Sequence, residues 1–440
     1  MSTNKLASNY ADRRRRLADA MGPGSIAILP TAVVSRRNQD TEYPYRGSSD
    51  FLYLTGFPEP EVIMVLLPGS RRSRYIIFCR PRDPAQEVWT GRRAGCEGVI
   101  ASYGADEAFP IEDFDRLLPD LIKGCNHIYY NTGLDEVFDR KLMSCLQDLR
   151  AQGRAGVAAP SALCSLDPLI HEQRIIKDPM EVGLMRRAAE VSVAAHHRLM
   201  RACRPGQMEY VLEAELLHEF TRQGCRSPAY PSIVAGGANA CILHYTDNDA
   251  ALSDGDLLLV DAGAEHAGYA ADITRTIPVN GRFSPDQRAL YEVVLKAQLA
   301  AIKQVRPGRH WDAPHRAAVR EITRGLCALG ILEGEEKSLI RDQAYRPYFM
   351  HRTGHWLGLD VHDVGAYKRD GDWRTLEPGM VLTVEPGIYI ASGTEGVDQR
   401  WWGMGIRIED DVMVTTDGHE VLTAAVVKTV TDIEAMMAVG

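Results

Sequence analysis

Asp261, Asp272, Glu385 and Glu409 stand in places where a carboxylate is costly, because each lies in or at the end of an apolar, strand-like run. Asp261 closes Leu257-Leu258-Leu259-Val260, and Glu385 closes Val381-Leu382-Thr383-Val384 just before Pro386-Gly387. Asp272 falls within the strand-like residues 269–279. In Ile406-Arg407-Ile408-Glu409 the alternation turns both isoleucines to one face and Arg407 and Glu409 to the other. A single acid so placed is ordinarily a turn residue, a strand-end cap or half of a salt bridge. Four of them, each buried alone, would be driven toward the neutral form. If residues 265–268 make the turn of a hairpin, Asp261 and Asp272 lie directly opposite each other on one face. Directly opposed Cβ atoms are about 4.5–5.5 Å apart, and like charges there repel. Something positive belongs between them. Together with His355, four carboxylates balance two divalent cations, and oxygen-rich ligation with one imidazole suits manganese, cobalt, zinc or iron without choosing among them.

The elements that must hold these residues can be read from period and punctuation. Residues 25–34, 61–67 and 74–79 are strand-like, with Pro68-Gly69-Ser70 as a turn between the last two. Residues 127–130 read as a buried strand and 135–150 as a helix. This α/β stretch has no cluster of metal-type ligands and ends in a linker rich in Gly, Ala and Pro at 151–167. A new domain then opens: Asp178 can N-cap a helix, with Pro179 in its first turn and Glu181 closing a capping box. Leu184, Ala188, Val191, Ala195 and Leu199 follow at helical spacing up to Arg204-Pro205-Gly206. A second helix covers 207–223, and a β-rich stretch comes next. The plan then recurs. Ser284-Pro285-Asp286-Gln287 caps a helix that runs to Arg306-Pro307-Gly308, another ends at Gly330, and a β-rich stretch closes the chain. The two Arg-Pro-Gly junctions read as a weak internal repeat, two related halves enclosing a sheet. The expectation is an α/β (α+β) chain of two domains, residues 1–173 and 174–440.

Composition narrows the field. With 440 residues, 45% of them hydrophobic and 25% charged, the chain is globular and too long for one core. A net charge of −9 offers no footprint for nucleic acid or anionic lipid, and the basic run Arg13 to Arg16 reads as a solvated helix face. Nine cysteines scattered from Cys79 to Cys327, with no CxxC pair, imply free thiols in a reducing compartment. No apolar signal region follows Met1 and no apolar run is long enough to span a bilayer, so the expectation is a cytoplasmic protein with neither membrane nor nucleic-acid partner. Without a GxSxG elbow, a P-loop or a complete GxGxxG after a strand, serine-hydrolase and nucleotide-binding readings have no footing. His351 and His355 are four apart, but Gly354 and Gly358 disrupt any helix that would pair them.

Five segments, in order, resemble the motifs of the methionine aminopeptidase/prolidase superfamily. They are residues 257–263 (LLLVDAG), 270–276 (AADITRT), 351–363 (HRTGHWLGLDVHD), 382–389 (LTVEPGIY) and 405–410 (GIRIED). Residues 45–57 (YRGSSDFLYLTGF) and 82–93 (RDPAQEVWTGRR) look like the N-terminal domain of bacterial aminopeptidase P. Gly47-Ser48 stand where that domain often has a polar pair, a departure that touches no catalytic position. The resemblance implies a C-terminal pita-bread catalytic domain preceded by an N-terminal α/β domain of creatinase/prolidase type.

It also implies roles. Asp261 would hold one metal ion, His355 and Glu385 the other, and Asp272 and Glu409 would bridge the two. A bridging water would ionise, its hydroxide would attack the scissile carbonyl, and Glu385 would carry the proton toward the leaving nitrogen. His362 would donate to the oxygen of the tetrahedral intermediate, and His244 would orient substrate. His351, Arg407 and Tyr389 would line the pocket for the proline ring and the chain beyond it. Trp89 and Arg154 match positions that reach active sites in the family, in some members across a subunit boundary; their plainer readings are packing and surface charge. His196, His197, His310 and His315 read as ordinary helix or loop residues. The implied protein is a metalloaminopeptidase hydrolysing the N-terminal Xaa-Pro bond through a hydroxide bridging two divalent ions, manganese first and zinc, cobalt or iron otherwise. Its substrates would be peptides with proline second, and it would form a homo-oligomer, dimer or tetramer. An Xaa-Pro dipeptidase shares all five ligands. Methionine aminopeptidases usually lack a domain like residues 1–170, and creatinase-like relatives do not keep the ligands. A non-catalytic peptide-binding relative would show substitutions among the five, and this chain has none.

Overall fold

Strand-like runs in the first part of the chain assemble into one mixed six-stranded sheet. Its order is Glu107–Pro110, Arg74–Cys79, Ile63–Leu67, Ser25–Pro30, His127–Tyr129, Ala162–Cys164. The computed structural model describes residues 3–69 and 74–438, with side chains from residue 9 onward. It divides into two units, Met1–Arg174 and Ile175–Gly440. In the first unit Ile26, Ile28, Val65, Ile76, Phe78 and Ile128 form a core with Phe114 and Leu118 of the helix Phe114–Ile122 and Leu142 and Leu146 of the helix Glu136–Ala151. Asp135 caps that second helix through the Val137 and Phe138 N–H groups. Residue 70 of the expected turn lies outside the described residues.

Three expectations for this unit need correction. The first strand stops at Pro30 rather than 34. The basic run is not a uniformly solvated face: Arg13 and Arg14 are buried, their guanidinium groups donating to the Tyr53 carbonyl (3.1 Å) and the Leu54 carbonyl (2.8 Å). Those carbonyls are at the end of the short helix Ser49–Thr55, so the two cations satisfy its last turn. Asp50, Asp167 and His171 also gather with ligand atoms within 4.8 Å of one another. Asp50 is balanced within the chain by Arg174 at 2.7 Å and by His171 at 3.3 Å, which makes this an ion-pair cluster.

The second unit is built twice from one plan. The helix Pro179–Ala202, with its capping box at Asp178 and Glu181, packs on Glu209–Arg222. The helix Pro285–Ile302, with the same device at Ser284 and Gln287, packs on Ala313–Ala328. After the first helix of each pair the chain turns at a glycine with positive φ, Gly206 (85°) and Gly308 (81°). Gly206 N–H donates to Leu252 O and Leu252 N–H to Gln207 O; in the same way Gly308 N–H donates to Leu376 O and Leu376 N–H to Arg309 O. From these leucines the chain runs through a second left-handed glycine, Gly255 or Gly379, into the strand that ends at Asp261 or leads to Glu385. The repeat therefore puts Asp261 and Glu385 at equivalent strand ends.

Strands Ile233–Gly236, Leu257–Asp261 and Thr274–Pro278 form one antiparallel sheet, and Val381–Val384, Asp410–Val414 and His419–Val421 another. Gly387–Ile390 pairs with Met404–Arg407. Period-two alternation sorts these strands. Leu258, Val260, Ile277, Leu382, Val384, Ile406 and Ile408 enter the main core with the helices, while Leu259 joins a separate cluster with Ile233, Tyr245 and Tyr389. Among the described residues no helix is long and apolar enough to cross a membrane.

Candidate active site

The face that does not meet the helices carries the acids. Asp261 pairs with Thr274 in the hairpin register, and His266 with Tyr269. Asp261 and Asp272 are thus diagonal neighbours on one face and not directly opposite, as a turn at 265–268 would have made them. The turn lies one residue later: Ala267 (φ 51°) and Gly268 (φ 86°) are both left-handed, a two-residue turn of the type whose twist suits a hairpin. The hairpin is also pinched. A Cβ on Gly263 would lie 1.7 Å from the Ala271 carbonyl oxygen, so only glycine fits there.

The five expected ligand residues converge. Asp261, Asp272, His355, Glu385 and Glu409 all line one cavity of about 680 Å³, together with His244, His351, His362 and Arg407. Ligand atoms of Asp272, His355 and Glu409 lie within 4.8 Å of one another. His355 Nε2 is 3.4 Å from Asp272 Oδ2 and 3.6 Å from Glu385 Oε1. Its Nδ1–H donates to the Trp356 carbonyl at 3.0 Å, which turns Nε2 toward the acids. Tyr389 is behind the cavity wall: its hydroxyl accepts from Arg407 Nη1 and donates to His351 Nε2, both at 2.9 Å. Arg407 Nη2 reaches Asp261 Oδ2 at 2.6 Å. Trp89 and Arg154 belong to the first unit, where both are exposed; Trp89 packs on little, at 84% exposure.

Electrostatics explain why the arrangement needs cations. Burial raises Asp272, and the neighbouring Asp261 charge raises it further. Burial outweighs His355 and Arg407 to hold Glu385 at about 7, and burial with the charges of Asp272 and Glu385 puts Glu409 well above its ordinary value. For Asp261 burial is outweighed by Arg407 and by hydrogen bonds, which hold its carboxyl low. Burial would lower His355, but Asp272 and Glu385 push it up to about 9. Three acids driven toward protonation and a histidine driven toward its cation describe a donor set short of positive charge. A carboxylate-rich cluster with one imidazole fits divalent ions of the manganese-to-zinc series.

Sequence reading missed the supports. Tyr230 donates its hydroxyl toward Asp261 Oδ1 (2.6 Å) and Asp272 Oδ1. Thr274 Oγ1 donates to Glu409 Oε2 (2.6 Å) and accepts from Arg407 Nε (3.1 Å). Asp411 Oδ2 accepts the Asp272 N–H at 3.1 Å. His315, read as an ordinary residue, bonds Thr353 Oγ1 at 2.9 Å, and the Thr353 carbonyl accepts the Glu385 N–H. Asp410 is paired with Arg275 (2.8 Å) and Lys428 (2.6 Å), which hold its carboxyl low against burial. The alternation of Thr274 with Ile273 could have flagged the threonine; nothing in the sequence around Tyr230 could have.

Comparison with known proteins agrees with this geometry. Residues 183–416 match the profile of metallopeptidase family M24, and residues 10–129 that of the aminopeptidase P N-terminal domain. The chain is 46% identical to Xaa-Pro aminopeptidase of Escherichia coli over 429 residues, 97% of both chains. It superposes on Pseudomonas aeruginosa aminopeptidase PepP with a TM-score of 0.97 at 56% identity, covering 98% of each chain. A zinc-substituted E. coli aminopeptidase P in complex with product is matched at a TM-score of 0.96 and 45% identity over 98% of each chain.

Proposed function

The chain belongs to metallopeptidase family M24, and from that premise we propose that it is an aminopeptidase P, cleaving the bond between a free N-terminal residue and a proline that follows it. The observation that carries this reading is the joining of two groups of residues in one cavity. One is the acid cluster Asp261, Asp272, Glu385 and Glu409 with His355; the other is the pair His351 and Arg407 on its wall, joined through the Tyr389 hydroxyl behind them. The similarity to Xaa-Pro aminopeptidases over 97% of the chain supports the substrate class.

Asp261 would hold one divalent ion, His355 and Glu385 the other, with Asp272 and Glu409 shared between them. When bound, the two ions supply Lewis acidity and a water that ionises at neutral pH as the nucleophile. Glu385 lies 3.8 Å from His351 Nδ1 and 3.6 Å from His355 Nε2, placed to take a proton and pass it to the leaving nitrogen. His362, its ring edge-on to His355 at 4.4 Å, is open to the cavity and would donate to the oxygen that becomes negative. His244 would orient the substrate. Burial and the Arg407 charge hold His351 neutral, down to about 3, so its Nε2 accepts from Tyr389 and its ring offers a flat, uncharged wall. Such a wall suits a proline ring.

Manganese is the proposed metal and the cytoplasm the proposed location. The catalytic domain is assigned to residues 174–440, and the exposed pair Val88 and Trp89 (82% and 84%) favours a homo-oligomer that covers them. Comparison of Ala-Pro-containing and Ala-Ala-containing peptides with the manganese-loaded protein tests the substrate class. A strong preference for proline is expected; equal rates would overturn the reading.

A further inference from the structure

Glu209 begins the helix Glu209–Arg222 and is completely buried, with 0% of its surface exposed. Its carboxylate accepts four hydrogen bonds, two at each oxygen. Oε1 takes the Gly236 N–H (2.7 Å) and the Asn239 side-chain amide (3.1 Å). Oε2 takes the Tyr245 hydroxyl (2.7 Å) and the Ala250 N–H (2.9 Å). Its own N–H donates to the Ala250 carbonyl at 3.0 Å. Every one of these partners lies in residues 236–250, the segment that crosses the cavity wall and carries His244. A buried carboxylate is tolerated only when its lone pairs are filled, so the bonds hold one another in place: losing one leaves the others around an under-satisfied group.

A second tie, independent of Glu209, reinforces the later part of the segment. Asn248, with φ 49°, accepts the Val234 N–H and donates to the Ser232 carbonyl, both at 2.9 Å. Tyr245, one of the Glu209 partners, also packs with Ile233, Leu259 and Tyr389, the tyrosine that bonds His351 and Arg407. His244 is the exception. Its ring is exposed, and no hydrogen bond among the described residues fixes it. Its position depends on the backbone beneath it.

We propose that Glu209 is a positioning residue for His244: by gathering four donors of the 236–250 segment it fixes the place at which that imidazole meets the substrate. The inference rests on the role given to His244 above. Glu209→Gln keeps the shape but turns an amide NH2 toward a backbone N–H, that of Gly236 or of Ala250 depending on which oxygen it replaces, and a backbone N–H can only donate. In the full-length, manganese-loaded protein it is expected to lower kcat/KM for an Ala-Pro tripeptide by about 10- to 100-fold, the cost of a displaced positioning group. Manganese content should be unchanged. In a His244→Ala background the same substitution should cost less than about threefold, because the two changes remove one interaction. Equal losses in both backgrounds, or lost manganese, would overturn the proposal. If Glu209→Gln does not fold, Tyr245→Phe removes one of the four bonds, and the same cycle with a smaller loss decides. A readout independent of turnover is the imidazole Cε1–H NMR signal of His244 in the chelated, metal-free protein, where no paramagnetic manganese broadens it, identified by its absence in His244→Ala. It should be single in the parent protein and broadened or doubled in Glu209→Gln; an unchanged signal contradicts the proposal. A parent protein inactive on proline peptides would instead refute the assigned function, leaving the NMR result to decide the positioning.

Discussion

Glu385 and Thr274 separate two ways in which a side chain can matter to this site. Glu385 closes the Val381–Val384 strand among the acids, half-buried and held near 7. General acid–base groups contribute about 10²–10⁴-fold, and this one would also be a metal ligand. Glu385→Ala should therefore abolish measurable turnover while leaving the circular dichroism spectrum and melting profile of a folded protein; retained activity would remove Glu385 from the mechanism. Thr274 touches no substrate, yet its hydroxyl joins Glu409 to Arg407. Supports of this kind cost about 10- to 100-fold in metal affinity when lost. Thr274→Val should show that loss in a manganese titration by calorimetry, with near-normal turnover at saturating metal. Protonation acts at the same scale. Glu385 at about 7 and His355 at about 9 must both give up a proton before they can ligate. Manganese affinity should rise with pH between about pH 6 and pH 9, with protons released on binding; a flat profile would contradict the ligand set.

At the scale of elements, much was legible in the sequence, and what was not has identifiable causes. Asp178 and Ser284 announce their helices because capping boxes and an N-terminal proline act locally, and both helices begin where those residues place them. The strand ends at Asp261 and Glu385 were legible because apolar runs of four residues precede them. The hairpin register was not, since moving a two-residue turn by one position shifts the pairing by two and leaves the same residues on each face. Only the left-handed Ala267 decides it, and an alanine gives no turn signal. The supports Tyr230 and His315 act across 31 or more residues of chain, beyond any local pattern. The pinch at Gly263 gives this scale its test. Because a Cβ at this position would come within 1.7 Å of the Ala271 oxygen, Gly263→Ala must push the hairpin apart. Overpacking of this kind costs about 1–3 kcal/mol or more, and Asp272 rides on the displaced strand. Both melting temperature and manganese affinity should fall; a variant with unchanged metal binding would show that the hairpin tolerates the spread.

For the whole molecule, charge placed in the interior links stability to pH. His196 is entirely buried in the helix Pro179–Ala202, its Nε2–H donating to the Ala262 carbonyl at 2.9 Å, and burial lowers it to about 4. The unfolded chain binds a proton at this residue below about pH 6.5, whereas the folded chain does so only near 4. Stability from His196 is therefore complete above about pH 6.5 and lost as pH falls toward 4, an amount on the order of 3 kcal/mol. Denaturant unfolding of His196→Gln should show a weaker pH dependence across that window than the parent. The repeated plan of the second unit, with its matched glycine turns and leucine hydrogen bonds, delivers one acid-bearing strand from each half to a common face. That convergence is the basis of the functional account, and the measurement that tests it most directly is a manganese titration of chelated protein against an Ala-Pro tripeptide, with metal stoichiometry read in parallel. The expected result is no hydrolysis without metal and full activity on binding two ions per chain. Hydrolysis by the metal-free protein, or saturation of activity at a site that excludes Asp261 or His355 by mutation, would contradict it.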